Sequence, residues 1–246
     1  MKKVSVGVKG VDALLFGGFP ERKSILVTGN CGTGKTIFAS HFMNYGGGVY
    51  ISFEQDKEKL FGDLKEIGID FKKLEDQDKL RVLGGNLVGI QKLKEKRRAS
   101  AEDIIEEILE VVEEIGAKRV VIDSINLFLM LFDTDKERRN VLYELNYALQ
   151  QVGCTIVMTC ELPEHSQKLS WFGFEEFIAD GVVVLKRDYK KDLNLNKRYL
   201  EIVKLRGSDF KEGNFPLRIT NEGLKVYMND PNDEFFYNEV KENGKS

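Results

Sequence analysis

Short apolar runs alternate with longer stretches of helical periodicity along most of this chain, the order expected of a mostly parallel sheet flanked by helices. Ser24–Thr28 (SILVT) reads as a short apolar strand that runs straight into a glycine-rich turn. Thr36–Asn44 then reads as a helix, Gly46–Gly48 breaks it, Val49–Phe53 forms a second strand and Leu80–Leu83 a third. From Ser100 the text is helical: Ser100 with Asp103 three residues later resembles a capping box. Ile104, Ile105, Ile108, Val111, Val112 and Ile115 then share one face of a helix whose other face is rich in glutamate. Gly116 ends it, and Arg119–Ile122 follows as a strand whose apolar run predicts a central place in the sheet. Val141, Leu142, Leu145, Leu149 and Val152 mark another helix, and Thr155–Thr159 and Val182–Leu185 are further strands.

After Asp188 the pattern changes. Tyr199–Leu205, Leu217–Thr220 and Leu224–Tyr227 read as short strands with turns and no helices between them, an antiparallel extension on the edge of the parallel sheet. Residues 229–246 are polar and acidic and read as a loosely attached tail behind one domain spanning 1–228. With 246 residues and 42% hydrophobic side chains the chain has enough apolar material for a single α/β core. No apolar run approaches the ~18 residues of a membrane span, and the opening MKKVSVGVKG has no signal-peptide core behind its lysines. Cys31, Cys154 and Cys160 form no C-x-x-C pair and read as small apolar residues of a reduced, cytoplasmic protein. A formal net charge of −3 gives no global attraction to nucleic acid or anionic membrane.

Chemistry enters at Gly29–Thr36, GNCGTGKT, which matches G-x-x-x-x-G-K-[ST] at every defined position and lies between a strand and a helix. The glycines let backbone N–H groups of Asn30, Cys31, Gly32, Thr33, Gly34, Lys35, Thr36 and Ile37 turn toward an anion, and the helix that follows adds the positive end of its dipole. Lys35 has the reach for the β- and γ-phosphates of ATP or its product ADP, and the Thr36 hydroxyl is placed for Mg²⁺. Such loops work with a carboxylate at the end of an apolar strand. Asp123, after Val120-Val121-Ile122, fits as the second Mg²⁺ group, although strand-end aspartates also cap turns. Glu54 ends the Val49–Phe53 strand, where strand carboxyl ends meet the ligand crevice, and is the candidate general base.

Beyond these residues the sequence resembles the KaiC-type branch of the RecA-like P-loop ATPases over about residues 4–227. The resemblance rests on GVKGVDALLFGGFP (7–20), GNCGTGKT, SFEQ (52–55), RVVIDS (119–124), FGFEEFIADGVVVL (172–185) and YLEIVKLRGSDFKEG (199–213). It implies a RecA-like fold and six-membered homo-oligomeric rings with ATP held between neighbours. It also implies that Lys204 and Arg206, from K-L-R-G, reach the γ-phosphate bound by the next subunit. Ile219, Thr220 and Asn221 match the family segment beside the nucleotide base and ribose. Without the resemblance, Lys204 and Arg206 read as charges on a solvated edge strand, pointing to one face because they are two residues apart. Two positions depart from the family pattern: Gln55 follows Glu54 where many members have a second glutamate, and Phe210 stands where many have histidine. Gln55 implies a slower turnover, and Phe210 implies the loss of one phosphate contact.

The remaining features read as structural. Lys92–Arg98 (KLKEKRR) is better taken as a solvated loop than as a nucleic-acid patch, given the acidic total. Among the stretches where RecA relatives meet DNA, one carries Lys136, Arg138 and Arg139, and the other, Glu161–Glu176, carries Lys168 amid glutamates. Trp171, Phe172, Phe174 and Phe177 there suit packing or a subunit interface better than base stacking. His41 and His165 have no ligand-like spacing. The sequence thus favours an ATPase working at subunit interfaces of a ring. The rivals are a nucleotide-gated scaffold with little turnover and a DNA-handling recombinase-like ATPase.

Overall fold

The computed structural model describes residues 1–84, 100–164, 166–190 and 195–228. The basic cluster at 92–98, His165 and the tail expected from 229 lie outside the described residues. Elements follow in the order β1 (Lys3–Val4), α1 (Val11–Leu14), β2 (Phe19–Pro20), β3 (Ser24–Gly29), α2 (Lys35–Gly46), β4 (Gly48–Ser52), α3 (Lys57–Lys65), α4 (Phe71–Asp76) and β5 (Leu80–Gly84). Then come α5 (Ala101–Glu114), β6 (Arg119–Asp123), α6 (Ile125–Leu129), α7 (Asp135–Gln151), β7 (Thr155–Glu161), α8 (Glu175–Ile178), β8 (Gly181–Lys190), β9 (Leu195–Leu205), β10 (Asn214–Thr220) and β11 (Gly223–Val226).

Among the described residues one sheet has nine strands in the order β11-β10-β9-β8-β3-β7-β6-β4-β5. The six from β8 to β5 are mutually parallel, and β9, β10 and β11 continue antiparallel from β8. This is the mostly parallel sheet with an antiparallel C-terminal extension that the pattern predicts. β8 and β9 are longer than Val182–Leu185 and Tyr199–Leu205, because each satisfies the other's polar backbone well past its apolar run. Five short helices, α1, α3, α4, α6 and α8, and the β1–β2 pair had no clear periodicity to announce them.

Alternate residues of the central strands feed two cores, one on each face. Ile25 and Val27 of β3, Val121 of β6, Val157 of β7 and Val183 and Leu185 of β8 pack with Phe38, Phe42 and Met43 of α2. Leu26, Val120, Ile122, Ile156, Met158 and Val182 pack on the opposite face with Ile105, Ile108 and Val112 of α5 and Leu142, Leu145 and Leu149 of α7. Each such side chain contributes about 1.5–3 kcal/mol on burial. The α5 N-terminus carries the expected capping box: Ser100 accepts from the Asp103 N–H, and the Asp103 carboxylate accepts from the Ser100 N–H. A second box, Thr134 with Glu137, starts α7. Cys154 and Cys160 are buried in the core and Cys31 is exposed, all three with free thiols. No helix among the described residues is long and apolar enough to cross a membrane.

Candidate functional site

The phosphate-type loop lies where β3 hands over to α2, at the carboxyl end of the parallel strands. Its turn is made by Gly32 and Gly34 with φ of 71° and 101°, values that favour glycine, and α2 begins at Lys35. Lys35 is largely buried (9% exposed), and its Nζ donates to the Asn30 carbonyl at 2.9 Å. The Thr33 hydroxyl donates to the same carbonyl at 2.9 Å, and Asn30 Nδ2 donates to the Pro163 carbonyl at 2.7 Å, so the loop is braced from inside and from the β7–α8 segment. Cys31 and Gly32 face solvent, Thr36 lies in the first turn of α2, and Ile37 leans on the α2-side core.

Asp123 ends β6 on the face that looks toward α2, in phase with Val121 rather than with Val120 and Ile122. It is 3% exposed, and both carboxylate oxygens are held: Tyr50 Oη of β4 donates to Oδ2 at 2.6 Å and Thr159 Oγ1 of β7 donates to Oδ1. Neighbouring strands thus fix its orientation. Burial, and then the Asp123 charge, push the Tyr50 hydroxyl well above the usual tyrosine range, so it stays a donor. The peptide between Asp123 and Ser124 is cis.

Glu54 stands just past the end of β4 with its side chain exposed at the crevice mouth. Its carboxyl is nonetheless raised above the usual carboxylate range, first by partial desolvation against the protein, then by the Asp123 and Glu161 charges. Lys35 opposes the rise, and so does the Ser124 hydroxyl, which lies close by without making a hydrogen bond of normal geometry. Lys35 and Asp123 therefore both act electrostatically on Glu54 across one crevice. Gln55 turns away, its Nε2 donating to Asp63 of α3 at 3.2 Å.

Among the described residues there is no cluster of three or more His, Cys, Asp or Glu side chains arranged to hold a metal. The available donors, the Thr36 hydroxyl and the Asp123 carboxylate, are hard oxygens, and too few to cage an ion by themselves. That set suits Mg²⁺, which keeps several waters and takes its other ligands from bound phosphates.

Lys204 and Arg206 lie at the other end of the sheet. Lys204 sits opposite Val182 near the start of β8, whereas the phosphate loop leaves β3 at Gly29, opposite Leu185. From Gly181 to Leu185 the strand rises about 13 Å. A β-bulge at Val203, which has no residue opposite it, switches the phase of β9. Leu200 and Ile202 consequently enter the α2-side core, while Lys204 and Arg206 turn to the α8 side. There Lys204 Nζ donates to the carbonyls of Glu176 and Ala179 at 2.7 and 2.6 Å, and Arg206 donates to that of Phe177 at 2.9 Å. Desolvation, with Arg206 beside it, lowers the Lys204 ammonium below the usual lysine range.

Ile219 and Thr220 end β10, and Asn221 is exposed at the tip of the β10–β11 hairpin. A Cβ on Gly34 would stand 3.2 Å from Ile219 Cδ1, so this hairpin rests on the chain's own loop. The sequence did not single out Arg198. Its Nε donates to the Gly32 carbonyl at 3.0 Å, a contact set by the β8–β9 register and without a local sequence signal. Tyr50 and Thr159 were missed too, because their role depends on strand order. Phe210 packs partly buried against the α2-side core. Trp171, Phe172 and Phe174 pack in or against the other core, with Arg138 and Arg139 over the last two rings, while Phe177 is 65% exposed.

The family description "ATPase: KaiC" matches residues 4–231. A curated relative, the circadian clock oscillator protein KaiC of Synechococcus elongatus, is 33% identical over 239 residues, covering 92% of this chain and 44% of its own length. The protein of that name from Prochlorococcus marinus subsp. pastoris is 31% identical over 240 residues, with 92% and 45% coverage. This chain thus spans somewhat less than half of the curated relatives it matches. The crystal structure of a KaiC-like protein from the archaeon Pyrococcus horikoshii superimposes with a TM-score of 0.80 at 34% identity, covering 92% of this chain and 99% of that one.

Proposed function

Because this chain belongs to the KaiC family of ATPases, we propose that it binds ATP at Gly29–Thr36 and hydrolyses it at sites completed between the subunits of a homo-hexameric ring. The observation that carries the chemistry is the convergence of Lys35, Asp123 and Glu54 on one crevice, where the Lys35 and Asp123 charges both bear on the Glu54 carboxyl. Lys35 and the loop N–H groups hold the phosphates. Mg²⁺, held by Thr36 and through water by Asp123, would offset phosphate charge when bound. Glu54 takes a proton from the attacking water, a role its raised carboxyl suits better than an ordinary exposed glutamate would.

The place of Lys204 and Arg206 supports their acting on a neighbour's nucleotide. They stand at the opposite end of the sheet from the chain's own loop, so a role in hydrolysis requires a second subunit. Each would have to exchange its carbonyl partners around α8 for the charge on the transferring phosphoryl group, where such cations stabilise the transition state. The exposed Phe177 beside them suits that contact face. The DNA-handling reading gains nothing from Arg138, which is engaged by Asp135 at 2.7 Å and by the Phe172 ring. A cytoplasmic setting belongs to this reading, and its reducing conditions would keep Cys31, Cys154 and Cys160 as thiols.

The test is phosphate release from Mg-ATP per subunit over a range of protein concentrations. A per-subunit rate that climbs and then saturates is the expected result. Release at background with ATP bound would instead make the protein a nucleotide-gated scaffold, the reading favoured by Gln55 and Phe210.

A further inference from the structure

We infer that His41 is a positioning residue for nucleotide recognition, fixing the β10–β11 hairpin against the helix that carries the phosphate loop. The inference rests on the reading that Ile219, Thr220 and Asn221 address the base and ribose.

β11 is the last strand of the sheet, so alternate backbone N–H groups point away from β10 and need partners. The Val226 N–H donates to the Lys9 carbonyl at 2.9 Å. The Leu224 N–H has no strand to meet and donates instead to Nε2 of His41 on α2, at 2.8 Å. An imidazole nitrogen accepts only when unprotonated, so this contact sets the tautomer with hydrogen on Nδ1. Burial lowers the His41 pKa to about 4 and keeps the ring neutral at physiological pH.

The junction is close-fitting on both sides. Gly223 has φ of +87°, and a Cβ there would stand 2.1 Å from His41 Nε2, so only glycine lets the hairpin approach the ring. A Cβ on Gly34 would stand 3.2 Å from the Cδ1 atoms of both Ile219 and Leu224. The hairpin therefore meets α2 both at the glycine that opens the helix and at the imidazole about 10 Å further along its axis. Lys35 and Thr36, the phosphate-binding side chains, begin that same helix. The His41 contact adds to those at Gly34, at Lys9 and beside Gly68 in fixing where Thr220 and Asn221 stand relative to the phosphates. His41 lies within α2, beyond the phosphate loop, so its effect is on the nucleoside end of the ligand.

The experiment compares the affinities of the full chain for ATP and for inorganic tripolyphosphate, both with Mg²⁺, by calorimetry. His41→Leu, which removes the acceptor, is expected to weaken ATP about tenfold and leave tripolyphosphate unchanged, a loss typical of one buried hydrogen bond. His41→Gln, whose side-chain carbonyl accepts from the same N–H, is expected to recover most of the loss. Equal weakening of both ligands, or of neither, overturns the proposal. Should His41→Leu fold poorly, Gly223→Ala reads the same junction from the other side and must narrow the ATP preference in the same way. The Thr220→Ala/Asn221→Ala double variant separates this proposal from the reading beneath it. If that variant narrows the preference and His41→Leu does not, the His41 role falls and the hairpin reading stands. If neither narrows it, both fall.

Discussion

Glu54 shows how a residue with an ordinary sequence setting acquires a chemical character from its neighbours. At the mouth of the crevice it is partly desolvated and faces Asp123, so its proton leaves at a higher pH than that of a solvated glutamate. A base whose pKa is raised is active above that pKa and is lost as pH falls through it. The acid limb of the turnover profile should therefore lie above the usual carboxylate range, and a limb inside that range would count against Glu54 as the base. Glu54→Gln is expected to cut turnover by about 10²–10⁴-fold while ATP affinity stays within a few-fold of wild type. A variant that keeps a tenth of the activity would remove Glu54 from the mechanism. Asp123 is the counterpart: its two oxygens are tied down by Tyr50 and Thr159, so what it offers is a fixed direction rather than a mobile charge.

Among the elements, the helix opened by the Ser100 capping box and the strands with long apolar runs were legible because their signals are local. Ser100 and Asp103 satisfy each other's backbone N–H at the start of α5, and nothing distant is needed to form that pair. Ser100→Ala should lower stability by about 1 kcal/mol, read as a reduced denaturation midpoint with an unchanged m-value. A shift of that midpoint by less than a quarter of this would mean that packing of Ile105, Ile108 and Val112 holds the helix end without the cap. The bulge at Val203 is the opposite case. The run Tyr199–Leu205 alternates as any strand does, and only pairing with β8 shows that one residue is left out and that the following side chains change face. The hairpin's seat on α2 was likewise invisible, since His41 and Leu224 are 183 residues apart in the chain.

For the molecule as a whole, the sheet separates two functional ends. The carboxyl ends of the parallel strands carry the phosphate loop, Glu54 and Asp123, while the opposite end carries Lys204 and Arg206. In a ring with sites between subunits, one protomer would supply the first set and its partner the second. Glu54→Gln and Arg206→Ala, each impaired alone, should then complement when mixed and allowed to exchange subunits. In a randomly mixed ring about a quarter of the interfaces would combine the intact parts of both. Activity no greater than the sum of the separate variants, with mixed rings confirmed by native mass spectrometry, would exclude shared sites.

What the sequence determined by itself is whatever is written in adjacent residues: the phosphate loop between strand and helix, the apolar strand before Asp123, the α5 cap, and the change to antiparallel strands after β8. In each, a few neighbouring side chains settle the local backbone, and the physics is complete within about a dozen positions. The family strings added a proposal for Lys204 and Arg206 that periodicity alone could not supply. Only the tertiary structure decided what depends on strand order and register. It aimed Asp123 at α2 between Tyr50 and Thr159 and turned Lys204 and Arg206 to the α8 side, far from the chain's own loop. It also set Arg198 against Gly32 and His41 under the hairpin. Hydrogen bonds and charges act over a few ångströms, and which residues come that close is fixed by the packing of the whole sheet.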